Sequence, residues 1–593
     1  MEQLLLNNLY VNAIRNIRAL LTLEEKKKGA IMLLLLLFNA ISDVFGLLGI
    51  IPIIALAEDF SRVENNEYLA TFYQMAGEPS EFVFLLILSF LLLIVFIIKN
   101  GLSLYIQYVQ AKYAFDISLS LSKKQFQYNY ERGYFFIKNE DSGSLIYKIS
   151  GIPLQFAKFY IVPTFTLTTE LVVLLLIFGG MLIYNPVLLL VVIAATIPGF
   201  GLIYYMTKSK VKSLGDKRDK IYPVSVLRIL EGMNGYTDVK LSNKEQQALD
   251  DYADIRDEIN KIDALISGFY GKVHQRANEV ILALGIIGIF TFGVLFPQIQ
   301  SDIIFVMGAF AITALRALPS LNRIITAMLN IKNFSFTVER MKPLRNRYIQ
   351  PYPTHPTLPF DKNIEIKELV FQYPETTTPT LQSINISLEK GEMIGIIGES
   401  GSGKTTLLNL MLQFLKPSVG QFIIDGQPIT KDNTGSFQKI LGYVQQDVFI
   451  KDASLMENIA FDRRNMDEKR VLKAIEAAQL TSFLETLPQG LQTMLGENGA
   501  NLSGGQKQRI GIARALYKNA EILLFDEITS ALDSETENAI TQSIASLAKL
   551  NKTVIIVAHR LTTLKHCDRI YELKDGQIMR TIKYEELVIK EIS

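Results

Sequence analysis

Apolar and polar positions along the 593 residues fall into two regimes. In the first 340 residues, long runs are apolar on every side: roughly 29–57, 82–110, 153–183, 187–207, 277–296 and 302–330. A helix that crosses a bilayer needs about 20 such residues, so six spans are predicted. Asn185-Pro186 separates the third from the fourth, and Pro297 ends the fifth. In the last 230 residues, short apolar strand-like runs alternate with amphipathic stretches, as in a soluble α/β domain. Between the regimes, Pro343, Pro351, Pro353, Pro356 and Pro359 mark a linker. The predicted organisation is an interfacial segment over 1–28, a six-helix membrane domain over 29–340, a linker over 341–360 and an α/β domain over 361–593.

Residues 1–28 carry Arg15, Arg18 and Lys26-Lys27-Lys28 and lack a cleavage-like site after a short apolar core, so they do not read as a signal peptide. Leu4, Leu5, Leu6, Ile14, Ile17, Leu20 and Leu21 could line one side of a helix on the membrane surface. A disordered tail is the alternative.

Charge sets orientation. Lys26–Lys28 precede the first span, and Lys208, Lys210, Lys212, Lys217, Arg218 and Lys220 follow the fourth. The segment 58–81 is acidic, with Arg62 its one basic residue. Positive loops stay in the cytoplasm, so both termini are placed there and 58–81 outside. The cytoplasmic excursions 111–152 and 208–276 are too long for plain loops and read as helices continuing past the bilayer, with short transverse helices near the breaks at Lys138–Gly143 and Gly232–Gly235. Outside, Tyr68, Phe72 and Met75 fall at helical spacing, suiting either a short surface helix or a solvated loop.

Charges inside the spans are costly and face a bundle interior or an aqueous cavity. Arg316 and Arg323 are seven residues apart, hence on one face of the sixth span, and Lys99 lies within the second. They read as a cationic wall for a phosphate or pyrophosphate, which guanidinium grips with parallel hydrogen bonds. The alternative is snorkelling, or structural pairing with Asp43, Glu170 or Glu279.

The net charge of +1 makes no case for nucleic-acid binding, and the single cysteine, Cys567, excludes an intrachain disulfide. The chemistry lies near the C-terminus. After the buried strand Ile394–Ile397 comes Gly398-Glu399-Ser400-Gly401-Ser402-Gly403-Lys404-Thr405-Thr406, then the helical run Leu407–Leu415. Strand, glycine-rich loop and helix together form a phosphate-binding loop, whose backbone N–H groups converge on the anion. In such a loop Lys404 reaches the β- and γ-phosphates and the Thr405 hydroxyl holds Mg2+. The apolar strand Ile522–Phe525 runs into Asp526 and Glu527: Asp526 suits the metal, and Glu527 can polarise water as a general base. His559 follows the strand Val554–Ala558; a lone His is usually structural, but this spacing suits contact with the γ-phosphate. Tyr373 can stack on adenine, or fill the core.

With Gln446 in Val444-Gln445-Gln446-Asp447, Leu502-Ser503-Gly504-Gly505-Gln506 and Ser530-Ala531-Leu532-Asp533, these residues give 361–585 a resemblance to the ATPase subunit of ABC transporters. Ile528, where many relatives have Ala, departs from the pattern without touching the catalytic set. The resemblance implies ATP and Mg2+ as cofactors, with Gly398, Gly401, Ser402, Gly403, Lys404, Thr405 and Thr406 on the phosphates. Thr405, Gln446 and Asp526 would surround the metal, and Ser503, Gly504, Gly505 and Gln506 would reach the nucleotide of a second copy. It also implies a homodimer of half-transporters that alternates between inward- and outward-facing states.

The membrane half, especially Leu315–Thr326, resembles bacterial lipid-linked oligosaccharide flippases, implying a multi-pass protein of a bacterial cytoplasmic membrane that moves a polyprenyl-pyrophosphate glycan. A general lipid or multidrug exporter is the alternative, as is a peptide exporter, although 28 residues before the first span leave no room for a peptidase domain.

Overall fold

The computed structural model describes the chain apart from residues 1, 49–52, 54–55, 57–59, 64–66, 185, 278, 281–282, 285–286, 288–290, 292–299, 375, 529–533, 559 and 588–593. It divides into two compact units, one of Met1–Arg132 with Phe136–Gln350, the other of Gly133–Phe135 with Pro351–Ser593.

The first unit is helical. Five of the six predicted spans fall on described helices: Leu23–Leu48, Glu81–Glu131, Val162–Tyr184, Pro186–Asn234 and Gln300–Asn333. The predicted span 277–296 lies largely outside the described residues. By length and composition alone, Glu81–Glu131 and the helical stretch Ser142–Ile183 qualify as membrane-crossing among the described residues. Glu81–Glu131 is 51 residues long, about 75 Å, more than twice the hydrocarbon thickness. Its sequence changes character on the way. Phe82, Leu86, Phe90, Leu93, Ile97 and Ile98 are exposed, a surface that suits lipid and not water. From Ile106 onward, Tyr113, Ile117 and Leu121 are buried at helical spacing against protein. Ser142–Tyr184 is less regular, with π-helical turns at Tyr147–Gly151 and Ala157–Ile161, and Pro186–Asn234 carries Pro198 and Pro223 inside the helix.

Near both predicted cytoplasmic breaks the chain forms short helices, Tyr134–Asn139 and Tyr236–Leu241. Asp141 stops the first by capping the next, accepting from the Ser144 N–H at 2.6 Å. The N-terminal segment is the helix Glu2–Leu20, and Ala13, Ile17 and Leu20 along it are buried in the core of its own unit. Lys124, itself buried, donates to the Leu20 carbonyl at 3.0 Å and so satisfies the end of that helix. In the acidic segment, Glu67–Met75 is helical; Phe72 and Tyr73 pack with Phe60 and Phe84, while Tyr68 and Met75 stay exposed.

The second unit holds ten strands among the described residues: β1 Asn363–Phe371, β2 Leu381–Glu389, β3 Met393–Ile397, β4 Val419–Ile424, β5 Gln427–Pro428, β6 Leu441–Val444, β7 Ile522–Asp526, β8 Thr553–Val557, β9 Arg569–Lys574 and β10 Gln577–Ile582. An antiparallel sheet runs β2-β1-β4-β5, and a six-stranded sheet runs β10-β9-β3-β8-β7-β6. In the latter, β9, β3, β8, β7 and β6 are parallel and β10 is antiparallel to β9. These strands are nearly continuous apolar runs because they are covered on both faces, with Ile394, Ile396, Leu524 and Val557 all buried.

Cys567 is buried in this unit, and burial pushes its thiol up to about 12. At pH 8 the thiolate fraction is then on the order of 1 in 10,000. Maleimide should leave the native protein unlabelled and label it fully after denaturation; mass spectrometry reads both states.

Candidate functional site

The parallel strands all point their carboxyl ends to one edge of the sheet, where ligands bind in open α/β folds. The glycine-rich loop leaves β3, residues 445–446 leave β6, and Asp526-Glu527 close β7. His559 lies two residues past β8 and outside the described residues, as does all of Ser530–Asp533.

The loop is fixed by backbone shape. Gly403 has φ +104° and caps the helix Lys404–Met411, a conformation that disfavours any side chain. At Gly398 an added Cβ would lie 2.2 Å from the Leu573 carbonyl oxygen and 2.7 Å from Ser402 Oγ. Ser402 Oγ is buried without a hydrogen-bond partner, a polar atom turned into a cradle that suits an anion. Lys404 is buried, and its Nζ donates to the carbonyls of Gly398 and Glu399, both at 2.9 Å. Burial lowers its affinity for a proton, while the carboxylates of Glu527 and Asp526 act the other way. Tyr373 accompanies the loop: its hydroxyl is 3.1 Å from Thr406 Oγ1, and its ring stands edge-on to Phe371 with centroids 4.8 Å apart.

Asp526 accepts a hydrogen bond from the Tyr443 hydroxyl at 3.0 Å. Burial, reinforced by Asp526, holds that hydroxyl protonated far above the usual tyrosine range, so it is a permanent donor. Tyr443 is a partner that sequence reasoning missed, since nothing in the motifs marks a residue on β6. Glu527 sits at φ +48°, and its N–H donates to Val557 at 2.9 Å. A left-handed glutamate just past a strand is the kind of backbone strain that collects at functional sites.

Ser503 to Gln506 form a capping box: the Gln506 N–H donates to Ser503 Oγ at 3.2 Å, and the Ser503 N–H donates to Gln506 Oε1 at 2.8 Å. The S-x-x-Q spacing is a signature of a capped helix start. The box opens the helix Gly504–Tyr517, whose first turn presents the N–H groups of the two glycines. Within one chain, this segment belongs to a different part of the unit from the glycine-rich loop.

In the membrane unit, Lys99 pairs with Asp43 at 2.9 Å, and Arg323 meets Glu170 through Nε at 2.5 Å and Nη2 at 3.3 Å. Lys99 and Arg323 thus each have a carboxylate beside them. Both contacts are ion pairs, of the kind left open as the alternative, because an isolated charge among apolar helices is far costlier than a paired one. Glu279 pairs instead with Arg276, at 2.8 Å. The side chain of Arg316 lies outside the described residues.

A strand, glycine-rich loop and helix facing two acidic residues at the carboxyl edge of a parallel sheet define a P-loop ATPase domain, here in one chain with a helical unit bearing long apolar helices. The ABC transporter family model matches residues 381–530. An ATP-dependent lipid A-core flippase of Cupriavidus pinatubonensis is 31% identical over 417 residues, 69% of each chain. A Staphylococcus aureus protein named as a multidrug export ATP-binding/permease protein is 42% identical over 228 residues, 38% of this chain and 39% of that one. The structure of a bacterial Atm1-family ABC exporter with ATP bound superposes with TM-score 0.77 and 22% identity, over 95% of this chain and 96% of the other, a likeness of fold. The chain belongs to the ABC transporters, as an exporter that joins a helical membrane domain to an ATPase domain and couples ATP hydrolysis to transport.

Gly398→Ala should cost at least about tenfold in ATP affinity, because the loop must shift its backbone to admit a methyl group. Fluorescent nucleotide titration measures it; affinity within twofold of the native protein would remove Gly398 from the cradle.

Proposed function

We propose that two copies of this chain form a homodimer that flips a polyprenyl-pyrophosphate oligosaccharide across the cytoplasmic membrane of a bacterium by alternating access. Each ATP site combines the phosphate loop of one copy with Ser503, Gly504, Gly505 and Gln506 of the other. Gly398, Gly401, Ser402 and Gly403 cradle the phosphates with their loop, Lys404 neutralises the β/γ charge, Thr406 supports the loop's first helical turn, and Tyr373 stacks on adenine. Thr405, Gln446 and Asp526 supply hard oxygen donors of the kind Mg2+ takes, and the ion would draw off phosphate charge during transfer. Glu527 takes the proton of the attacking water, with His559 and Gln446 orienting it. ATP must favour the closed pair over the open one for binding to drive the membrane helices.

The observation that carries the cargo assignment is Arg323. Its side chain is 43% exposed while its partner Glu170 is 10% exposed, so the carboxylate takes the Nε–Nη2 edge of the guanidinium and the rest of the group stays uncovered within one chain. An arginine held this way is oriented for a phosphate, and Arg316, seven residues earlier, lies on the same face of Gln300–Asn333. Lys99, bound to Asp43, serves the pair more than the cargo. The pairing itself favours a second reading, export of uncharged lipids or drugs through a cavity with its charges neutralised. A relative named for flipping a lipid fits either.

Glu527→Gln should retain ATP binding and lose at least about a hundredfold in turnover; vigorous phosphate release by this variant would take Glu527 out of its role. In liposomes with a polyprenyl-pyrophosphate glycan labelled in one leaflet, the wild type should translocate the glycan only with ATP, and Arg323→Ala should slow translocation by about tenfold. No ATP-dependent glycan movement, alongside full activity on hydrophobic drugs, selects the second reading.

A further inference from the structure

One face of the helix Gly504–Tyr517 is occupied by residues to which no motif assigns a task. Gln508, Gly511 and Arg514 recur every third position, so they lie along one side. That side docks on the segment leaving β6, the segment that contains Gln446. Gln508 is 4% exposed, and its Nε2 donates to the carbonyls of Gln445 at 3.1 Å and Gln446 at 2.5 Å. Two acceptors on one side fix which end of the amide faces them. Its Oε1 is buried with no partner, so the donor end alone holds the side chain in place.

Around this amide the packing is close. A Cβ at Gly511 would lie 3.0 Å from Val444 Cγ1 and 3.2 Å from Val448 Cγ2, so helix and segment approach as nearly as a glycine allows. One turn further, Arg514 Nε donates to Asn458 and Nη2 to Phe449, at 3.0 and 3.1 Å. Its guanidinium lies 4.5 Å from the Phe461 ring. Burial draws Arg514 down only to about 10, so it stays charged at neutral pH and keeps both bonds. Segment and helix are thus fastened at two heights, with no slack between.

We propose that Gln508 is a positioning residue that couples the two ATP sites of the paired transporter. This rests on the paired reading above, in which Gln446 meets the nucleotide of its own copy and Ser503–Gln506 meet that of the partner. The Gln508 backbone lies about 7.5 Å along the axis from Ser503, on a helix whose start is rigidified by the capping box. When γ-phosphate draws the Gln446 backbone in, the helix follows, and its N-terminus is aimed at the other nucleotide. Without the amide the segment can move while the helix stays behind.

The test uses the full-length protein in lipid nanodiscs, carrying Glu527→Gln to prevent turnover, Cys567→Ser, and a spin label at the exposed position of Lys473→Cys. ATP-driven closure is followed by the label-to-label distance, and the open site by binding of a fluorescent ADP analogue. Gln508→Met, similar in volume but without a donor, should need roughly tenfold more ATP for half-closure, with ADP affinity within twofold of the parent. Gln508→Glu, equal in shape but accepting only, should shift closure at least as far. A merely structural role would lower ADP binding and thermal stability together and leave the ATP half-point of the remaining folded protein unchanged. If the parent closes with ATP and either variant closes at the parent's concentration, the coupling role is overturned. If the parent itself stays open at saturating ATP, the paired reading fails, and this proposal with it.

Discussion

In the second unit Met393 lies opposite Val554, Ile522 opposite Thr553, and Leu441 opposite Ile522, all in parallel register. Parallel strands must return by crossovers, so every carboxyl end emerges at the same edge. That constraint gathers the glycine-rich loop, residues 445–446 and Asp526-Glu527, which are more than 120 residues apart in the chain at their extremes, into one neighbourhood. A strand that slid along its neighbours would leave ladder hydrogen bonds unmade and push apolar residues such as Ile394, Leu524 or Val557 toward the ends of the covered sheet. Chemistry is set by the loops, but their meeting place is set by the sheet.

The membrane unit answers to a different economy. Glu81–Glu131 exposes leucine, isoleucine and phenylalanine along most of its predicted span and buries Tyr113, Ile117 and Leu121 beyond it. With lipid as solvent outside and protein packing within, a charge or hydroxyl is much cheaper to admit with a partner. Asp43 for Lys99 and Glu170 for Arg323 are such partners, and Thr164, Thr166, Thr168 and Thr169 each return their hydroxyl to a carbonyl one turn back.

Much of this was legible in the sequence, for identifiable reasons. The strand before Gly398, the helix after Lys404 and the strand before Glu527 announce themselves because local pattern and tertiary role coincide. The long helices could be read because apolar runs of that length have one physical use. The pairs could not be assigned: Asp43 and Glu170 stood out as possible counter-ions, but Glu170 and Arg323 are 153 positions apart, and only packing says which acid meets which base. Tyr443 and Gln508 were hidden for a related reason. Each acts on backbone or carboxylate across a sheet or helix interface, and neither spacing nor composition records such a contact. That Ala13, Ile17 and Leu20 pack on protein could not be read, because an apolar face suits lipid and protein equally well.

Glu81–Glu131 has no proline and no π-turn, unlike the helices on either side of residue 185. A rod of that kind bends little, so the end beyond the bilayer works as the long arm of a beam pivoted in the lipid. From the middle of the predicted span to the tip is about 50 Å, so a swing of roughly 5° carries the tip about 4 to 5 Å, while atoms near the pivot scarcely stir. The gearing runs both ways. Small angular changes set by packing inside the membrane become strokes of several ångströms at the far end, and a stroke delivered at the tip returns to the membrane as a fine rotation with multiplied force.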